Sequence, residues 1–441
     1  MYSPNLNTIM NAILEKTASD DELPFTIFPG QKARVSGNTK IKILFVSSHC
    51  HQYNSNSKVS WNILKLFSQI PNSFEVLHFG IMQADKVDAN FRPYPPNITY
   101  CSVREITNDP YGLDKFRKLI TDFSPDIILL FHNLEVIKKY IDICAGFSGI
   151  VACYIDMCYF SIKSDYVLML NNSVRQIFTT SLFWKTNLES QGVKTPIAVF
   201  EYGFDKEDFS KVDKIVARNN IKLPADSFLI LNPNKNTQKH RYDILLMAFV
   251  KLVVKYPDRE DIHLLCLCDK GEGGGYPILE IYIAELRKYT SEVKRHLGKI
   301  LLIQNEQNYP DSVINMIYNC ADIGVGCPDG EGGSLAALEM MGIGIPQILP
   351  DFGVYDKKIA EIFALVPIKF VSYLTNKDSG MAGEARAVCA DDLFLALEKY
   401  FLSVDLVSEH GKYATININN RSWQKTSIAF FEYLYRCQYR C

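Results

Sequence analysis

Glu331 and Glu339 stand eight positions apart in the run Asp329-Gly330-Glu331-Gly332-Gly333-Ser334-Leu335-Ala336-Ala337-Leu338-Glu339. At 3.6 residues per turn that spacing brings both carboxylates to roughly the same side. The first lies in a Gly-rich loop and the second two turns into a predicted helix that ends at Gly342 to Gly344, before a strand starting at Pro346. Free N–H groups at the helix start, with two acids beside them, suit a ligand that is anionic at one end and hydroxyl-rich at the other. Two arbitrary acids would read as solvated surface charge. Here Glu339 stands among Leu335, Leu338, Met340 and Met341, and glycines on both sides of Glu331 permit close backbone approach.

Other residues that could do chemistry fall at the ends of apolar runs. Asn232 to Lys239 is a polar basic loop continuing into His240 and Arg241; His132 and Asp156 follow two other runs. Asp156 is a candidate to orient or deprotonate a hydroxyl, although lone polar residues at strand ends are commonly loop caps. His49-Cys50-His51, and Cys437 with Cys441, lack the paired spacing of a zinc site, so no metal is expected.

The elements that must position these groups alternate along the chain. Lys40 to Ser48, Phe74 to Phe79, Asp126 to Phe131, Ile150 to Ile155, Ser173 to Ser181 and Ile197 to Phe200 are short apolar runs of the kind that form buried parallel strands. Amphipathic or polar segments separate them. After Glu201 to Asp205 the composition turns polar, and the alternation restarts at Phe228 to Leu231, His263 to Cys268, Ile300 to Ile303 and Ile323 to Val325. Two alternating halves predict two Rossmann-like doubly wound α/β domains facing a cleft, with ligands at the carboxyl ends of the strands. The expected divisions are an N-terminal extension (1–39), a first domain (40–205), a second domain (206–420) and a C-terminal helix (421–441) crossing back to the first.

Composition agrees with that architecture. A chain of 441 residues exceeds what one core usually organises. It is 47% hydrophobic and 22% charged, as in ordinary globular proteins. A formal net charge of −2 supplies no global field for nucleic acid or an anionic membrane. The first 25 residues show no secretory pattern, no apolar run reaches eighteen residues, and the twelve cysteines are scattered through apparent strands and helices. A reducing, cytoplasmic setting is therefore expected.

The acidic segment resembles the E-x7-E signature of the retaining nucleotide-sugar glycosyltransferases of family four, usually written EGFGLxxLEAMAxGxPVI. It matches at Glu331, Gly332, Leu335, Leu338, Glu339, Met341, Gly344 and Pro346 in unbroken register. Three further anchors follow the family's order. Leu231 to Asp243 resembles the basic loop and helix start after the first strand of the second domain; Glu201 to Asp205 resembles the PHGVD interdomain turn; Tyr318 to Asp322 resembles the YNxAD strand entry. The likeness spans roughly residues 40 to 360 and is weakest in the first half.

The resemblance implies a GT-B fold and transfer of a sugar from a nucleotide-diphosphate donor to a hydroxyl, with retention and without a metal. No Asp-x-Asp triplet is present, which agrees with that last point. It implies that Glu331 accepts hydrogen bonds from the transferred sugar and Glu339 from the ribose, since a carboxylate can take two hydroxyl donors. The family's diphosphate-binding Arg falls on Lys235 and its Lys on His240, flanked by Lys239 and Arg241. Lys lacks the bidentate fork of Arg, so Lys235 and Lys239 are the expected working pair, with His240 and Arg241 as donor-site neighbours. Gly333-Ser334 replaces the family's Phe-Gly, and Gly332, Gly333, Ser334 and Leu335 would present backbone N–H groups to phosphate. Asn305, after the Ile300 to Ile303 run, completes the donor set, and Asp156 the catalytic set. A glycan, lipid-linked or protein hydroxyl would be the acceptor, with peripheral membrane contact through the 422–434 helix as a further partner reading. The Lys235, His240 and Gly333-Ser334 departures raise a catalytically weakened scaffold as the alternative. A sugar-nucleotide epimerase or a phosphorylase is a second one. A dinucleotide oxidoreductase is poorer, since neither half carries the glycine fingerprint.

Overall fold

The computed structural model describes residues 40–83, 91–104, 108–268, 275–303, 309–351, 368–374 and 383–439. They form two compact units. One contains the chain up to Gly203 and the segment from Trp423; the other contains Phe204–Leu374 and Glu384–Ser422.

The first unit is built on seven parallel strands: β1 (Ile41–Ser48), β2 (Phe74–Gln83), β3 (Ile98–Arg104), β4 (Ile127–His132), β5 (Ile150–Ile155), β6 (Gln176–Thr179) and β7 (Ile197–Val199). Their order is β3-β2-β1-β4-β5-β6-β7, with β1 central and paired to β2 from Ile41↔Phe74 to Ser48↔Ile81. The interior strands β4 and β5 are apolar runs, broken only by His132 at the end of β4, as suits strands covered on both faces. β3 was not legible as a strand. It is an edge strand of sequence ITYCSVR with only Val103 buried, so it lacks a continuous apolar run.

The C-terminal helix Ile428–Tyr439 packs within this unit. Phe430 lies 5.0 Å from Phe178 and 4.9 Å from Phe200, ring centroid to ring centroid. Chain entry at Trp423 explains Gly203: a Cβ there would stand 2.3 Å from the Trp423 backbone nitrogen.

The second unit has five parallel strands: β8 (Phe228–Asn232), β9 (Ile262–Leu267), β10 (Ile300–Ile303), β11 (Ile323–Val325) and β12 (Gln347–Ile348), in the order β10-β9-β8-β11-β12. Alternate residues feed two cores. Ile230, Leu264, Cys266, Ile323 and Val325 face one layer, while Leu229, Leu231, Leu265 and Leu267 face the other. An antiparallel pair, β13 (Ile368–Leu374) and β14 (Glu384–Val388), completes the unit; it too escaped the sequence reading.

Arg218 is a polar tie of this unit, 3% exposed. It donates to the carbonyls of Cys320 (2.9 Å) and Ala225 (2.7 Å) and to Asp322 (2.8 Å), and Asp322 also accepts from the Leu229 N–H at 2.7 Å. Arg218→Met leaves the buried Cys320 carbonyl, the Ala225 carbonyl and the Asp322 carboxylate short of a donor, and should destabilise this unit by about 3 kcal/mol in urea unfolding. A loss under about 1 kcal/mol would show the network to be dispensable.

Candidate functional site

Two loops leave the carboxyl ends of β8 and β11, neighbours in the second sheet through the register Ile230↔Ile323. The first is held by its own polar side chains. Asn232 Oδ1 accepts from Asn234 N (3.1 Å) and Nδ2 (2.7 Å), and the Tyr242 hydroxyl donates to the Asn234 carbonyl at 2.6 Å. Buried Asn236 exchanges two 2.8 Å hydrogen bonds with the backbone of Tyr276, pinning the loop from the side. A short 3-10 turn over Gln238–His240 then presents the basic residues.

Lys235 is exposed and Lys239 half-buried. His240 Nδ1 lies 2.7 Å from the Lys235 carbonyl oxygen and 2.9 Å from Thr237 Oγ1. Desolvation first, and then the Lys239 ammonium, pull its pKa down to about 3. His240 is thus neutral above that pH and acts as a brace of the loop. Arg241 sits at φ +46°, and its guanidinium forks onto Asp243 at 3.0 and 2.9 Å. Its hydrogen bonds to Asp243 hold it above an ordinary arginine. That fork engages it inside its own helix start.

The second loop carries the acids. The Asp329 N–H donates to the Lys239 carbonyl at 2.9 Å, and the Asp329 carbonyl accepts from Arg386 N at 2.9 Å. Cys327 Sγ approaches the Arg241 carbonyl at 3.5 Å. A Cβ at Gly326 would stand 3.4 Å from Asn234 Nδ2. The basic loop and the acidic loop are therefore stitched together backbone to backbone, two residues before Glu331.

Glu331 and Gly333 are half-buried, while Gly332, Ser334 and Leu335 are buried. Ser334 is the N-cap of the helix Leu335–Gly342, its Oγ accepting from Ala337 N at 3.3 Å. The hydroxyl is thus used to start the helix, and the backbone N–H groups of its first turn are what remains for an anion. Glu339 is 4% exposed. The Tyr318 phenol hydrogen-bonds it and is held well above its usual pKa, by burial first and then by this carboxylate.

The structure brings together Lys235, Lys239, His240, Arg241, Glu331, Gly332, Gly333, Ser334, Leu335 and Glu339 in one unit. Asn305 lies outside the described residues. Asp156 belongs to the other unit, at the end of β5, where its N–H donates to the His132 carbonyl (3.1 Å) and its carboxylate accepts from Tyr202 at 3.4 Å. Burial lowers His132 to about 4. The supports missed from sequence are Tyr276, which holds the basic loop through its backbone and through its hydroxyl on the Gln238 carbonyl (3.1 Å), and Arg386, which acts through its backbone N–H; both stand far from the loops in sequence.

At the end of β1 the two histidines of His49-Cys50-His51 have different surroundings. The His51 N–H donates to His49 Nδ1 at 3.2 Å, and burial pulls His49 down to about 3. Among the described residues no three His, Cys, Asp or Glu side chains converge as metal ligands. No described helix is long and apolar enough to cross a membrane.

No family model and no curated protein matches the chain. Solved structures do. Sucrose-phosphate synthase from Thermosynechococcus elongatus superposes with a TM-score of 0.65 at 15% identity, covering 90% of this chain and 98% of that one. A glycosyltransferase from Rickettsia africae gives 0.62 at 14%, covering 90% and 98%. HepE from Anabaena, in complex with UDP and glucose, gives 0.61 at 11%, covering 89% and 99%. The chain therefore shares the GT-B fold of these proteins, two Rossmann-like domains.

Proposed function

We propose that this protein is a glycosyltransferase that moves a sugar from a nucleoside-diphosphate sugar to a hydroxyl acceptor, with retention and without a metal. The observation that carries the reading is the Asp329 N–H to Lys239 carbonyl hydrogen bond, which joins a lysine-bearing loop to a glutamate-bearing loop at the carboxyl edge of one parallel sheet. The fold shared with the UDP-complexed HepE supports a nucleotide-sugar donor.

In this reading the diphosphate leaves against Lys235, Lys239 and the start of the Leu335–Gly342 helix, which together stabilise the charge that grows as the glycosidic bond breaks. Positive charge from side chains and helix takes the place of a divalent cation. Glu331 accepts from hydroxyls of the transferred sugar. Glu339, already desolvated beside Tyr318, accepts from the ribose hydroxyls. Retention follows when the departing phosphate steers the acceptor to the face it leaves, and Asp156 orients the acceptor hydroxyl.

The test is nucleotide release from a panel of nucleotide sugars, starting with UDP-glucose, with and without EDTA. Release that EDTA leaves unchanged is the expected result. No release from any donor overturns the transferase reading, and release abolished by EDTA overturns its metal independence.

A further inference from the structure

A cavity of about 630 Å³ lies in the second unit among Lys206, Lys211, Lys214 and Lys412. The one carboxylate in its wall is Asp322. That carboxylate is already committed: it accepts from Arg218, from the Leu229 N–H and from Lys214. With Lys214 paired to Asp322, Lys206, Lys211 and Lys412 carry the excess positive charge around a concave surface in a chain whose overall charge is −2. Desolvation and the adjacent Lys214 ammonium hold Lys211 below an ordinary lysine, with Asp322 opposing them. Such crowding of like charge is relieved by an anion.

Its position separates it from the donor loops. Phe228 opens β8 and Asp322 immediately precedes β11, so the cavity sits at the amino ends of the two strands whose carboxyl ends carry those loops. The helix Leu335–Gly342 runs between the two places. Ser334 caps it at the donor end, and Gly342 to Gly344, just past Glu339, line the cavity. Gly344, at φ +89°, keeps this wall open: a Cβ there would meet Thr415 Oγ1 at 3.0 Å and approach Lys211 Nζ to 3.9 Å. Ser408 and Thr415 add hydroxyls.

We propose that this cavity is a separate binding site for a small phosphorylated metabolite, held through its phosphate by Lys211 and Lys412 and through its hydroxyls by Ser408 and Thr415. Lysines suit a phosphate as point charges, and a cavity of this volume admits a molecule of sugar-phosphate size. A ligand seated here touches the end of the helix that carries Glu339.

Titration calorimetry of the full chain with glucose 6-phosphate and with inorganic phosphate tests the assignment. At least one of them should bind with a Kd below about 1 mM, with affinity falling as salt rises. Lys211→Gln/Lys412→Gln should weaken that binding at least about tenfold, whereas Lys235→Ala/Lys239→Ala should leave it within about twofold. Tighter binding of glucose 6-phosphate identifies a sugar phosphate as the ligand, and binding of inorganic phosphate at least as tight overturns the hydroxyl contacts of Ser408 and Thr415. Binding of neither probe overturns the proposal. So does binding that survives in the Lys211/Lys412 variant, or that disappears with Lys235 and Lys239, since either result places the anion elsewhere.

Discussion

Lys235→Ala/Lys239→Ala lowers the rate of nucleotide release from the preferred donor by about 10³-fold, with the fold and thermal midpoint unchanged. Removing one preorganised group from the charge that develops in a transition state typically costs 10² to 10³ in rate, and here both side-chain cations of one loop go at once. His240 cannot substitute: burial, the largest cause of its lowered pKa, persists when the lysines are removed, and its Nδ1 stays engaged with the carbonyl of residue 235. Arg241 is engaged by Asp243 through both ends of its fork. The loop backbone should persist without the lysines: the bonds to Asp329 and from Thr237 use the carbonyls of Lys239 and Lys235. A loss under about tenfold would place the diphosphate on another surface.

Glu331→Gln should depress kcat by about 10²-fold while changing the affinity for free nucleotide less than threefold. The substitution keeps size and acceptor oxygen but removes the charge that strengthens a hydrogen bond from a sugar hydroxyl, and charge-assisted bonds are about twice as strong as neutral ones. Single-turnover kinetics with calorimetry of nucleotide binding separate the two quantities. Unchanged kcat would remove Glu331 from the site. Equal losses in kcat and nucleotide affinity would move it from the sugar to the nucleotide.

Much of the α/β alternation was legible because a strand buried on both faces must be an apolar run. Lys40 to Ser48 became β1 as Ile41–Ser48, and Ile150 to Ile155 became β5 without change. What escaped was structure whose stabilisation is not local. β3 is a polar edge strand held by pairing to β2, from Val76↔Ile98 onward. β13 and β14 pair across a gap in sequence that no hairpin signal spans. Ser173 to Ser181 shortened to Gln176–Thr179 because Ser173 still belongs to the preceding helix.

At the candidate site the sequence by itself determined the chemical types and their loops: glutamates eight positions apart, lysines about a hundred residues upstream, and glycines where backbone must come close. It could not determine which cations are available. Only the folded geometry shows that His240 is a neutral brace, that Arg241 is engaged by Asp243, and that the Ser334 hydroxyl caps its own helix. Those outcomes depend on desolvation and on hydrogen-bond geometry, neither of which is a property of residue type. The packing of β8 beside β11 also decided that two loops far apart in sequence share one backbone hydrogen bond, Asp329 to Lys239. Strand order is set by which apolar faces bury each other across the whole sheet, and no local run of residues encodes it.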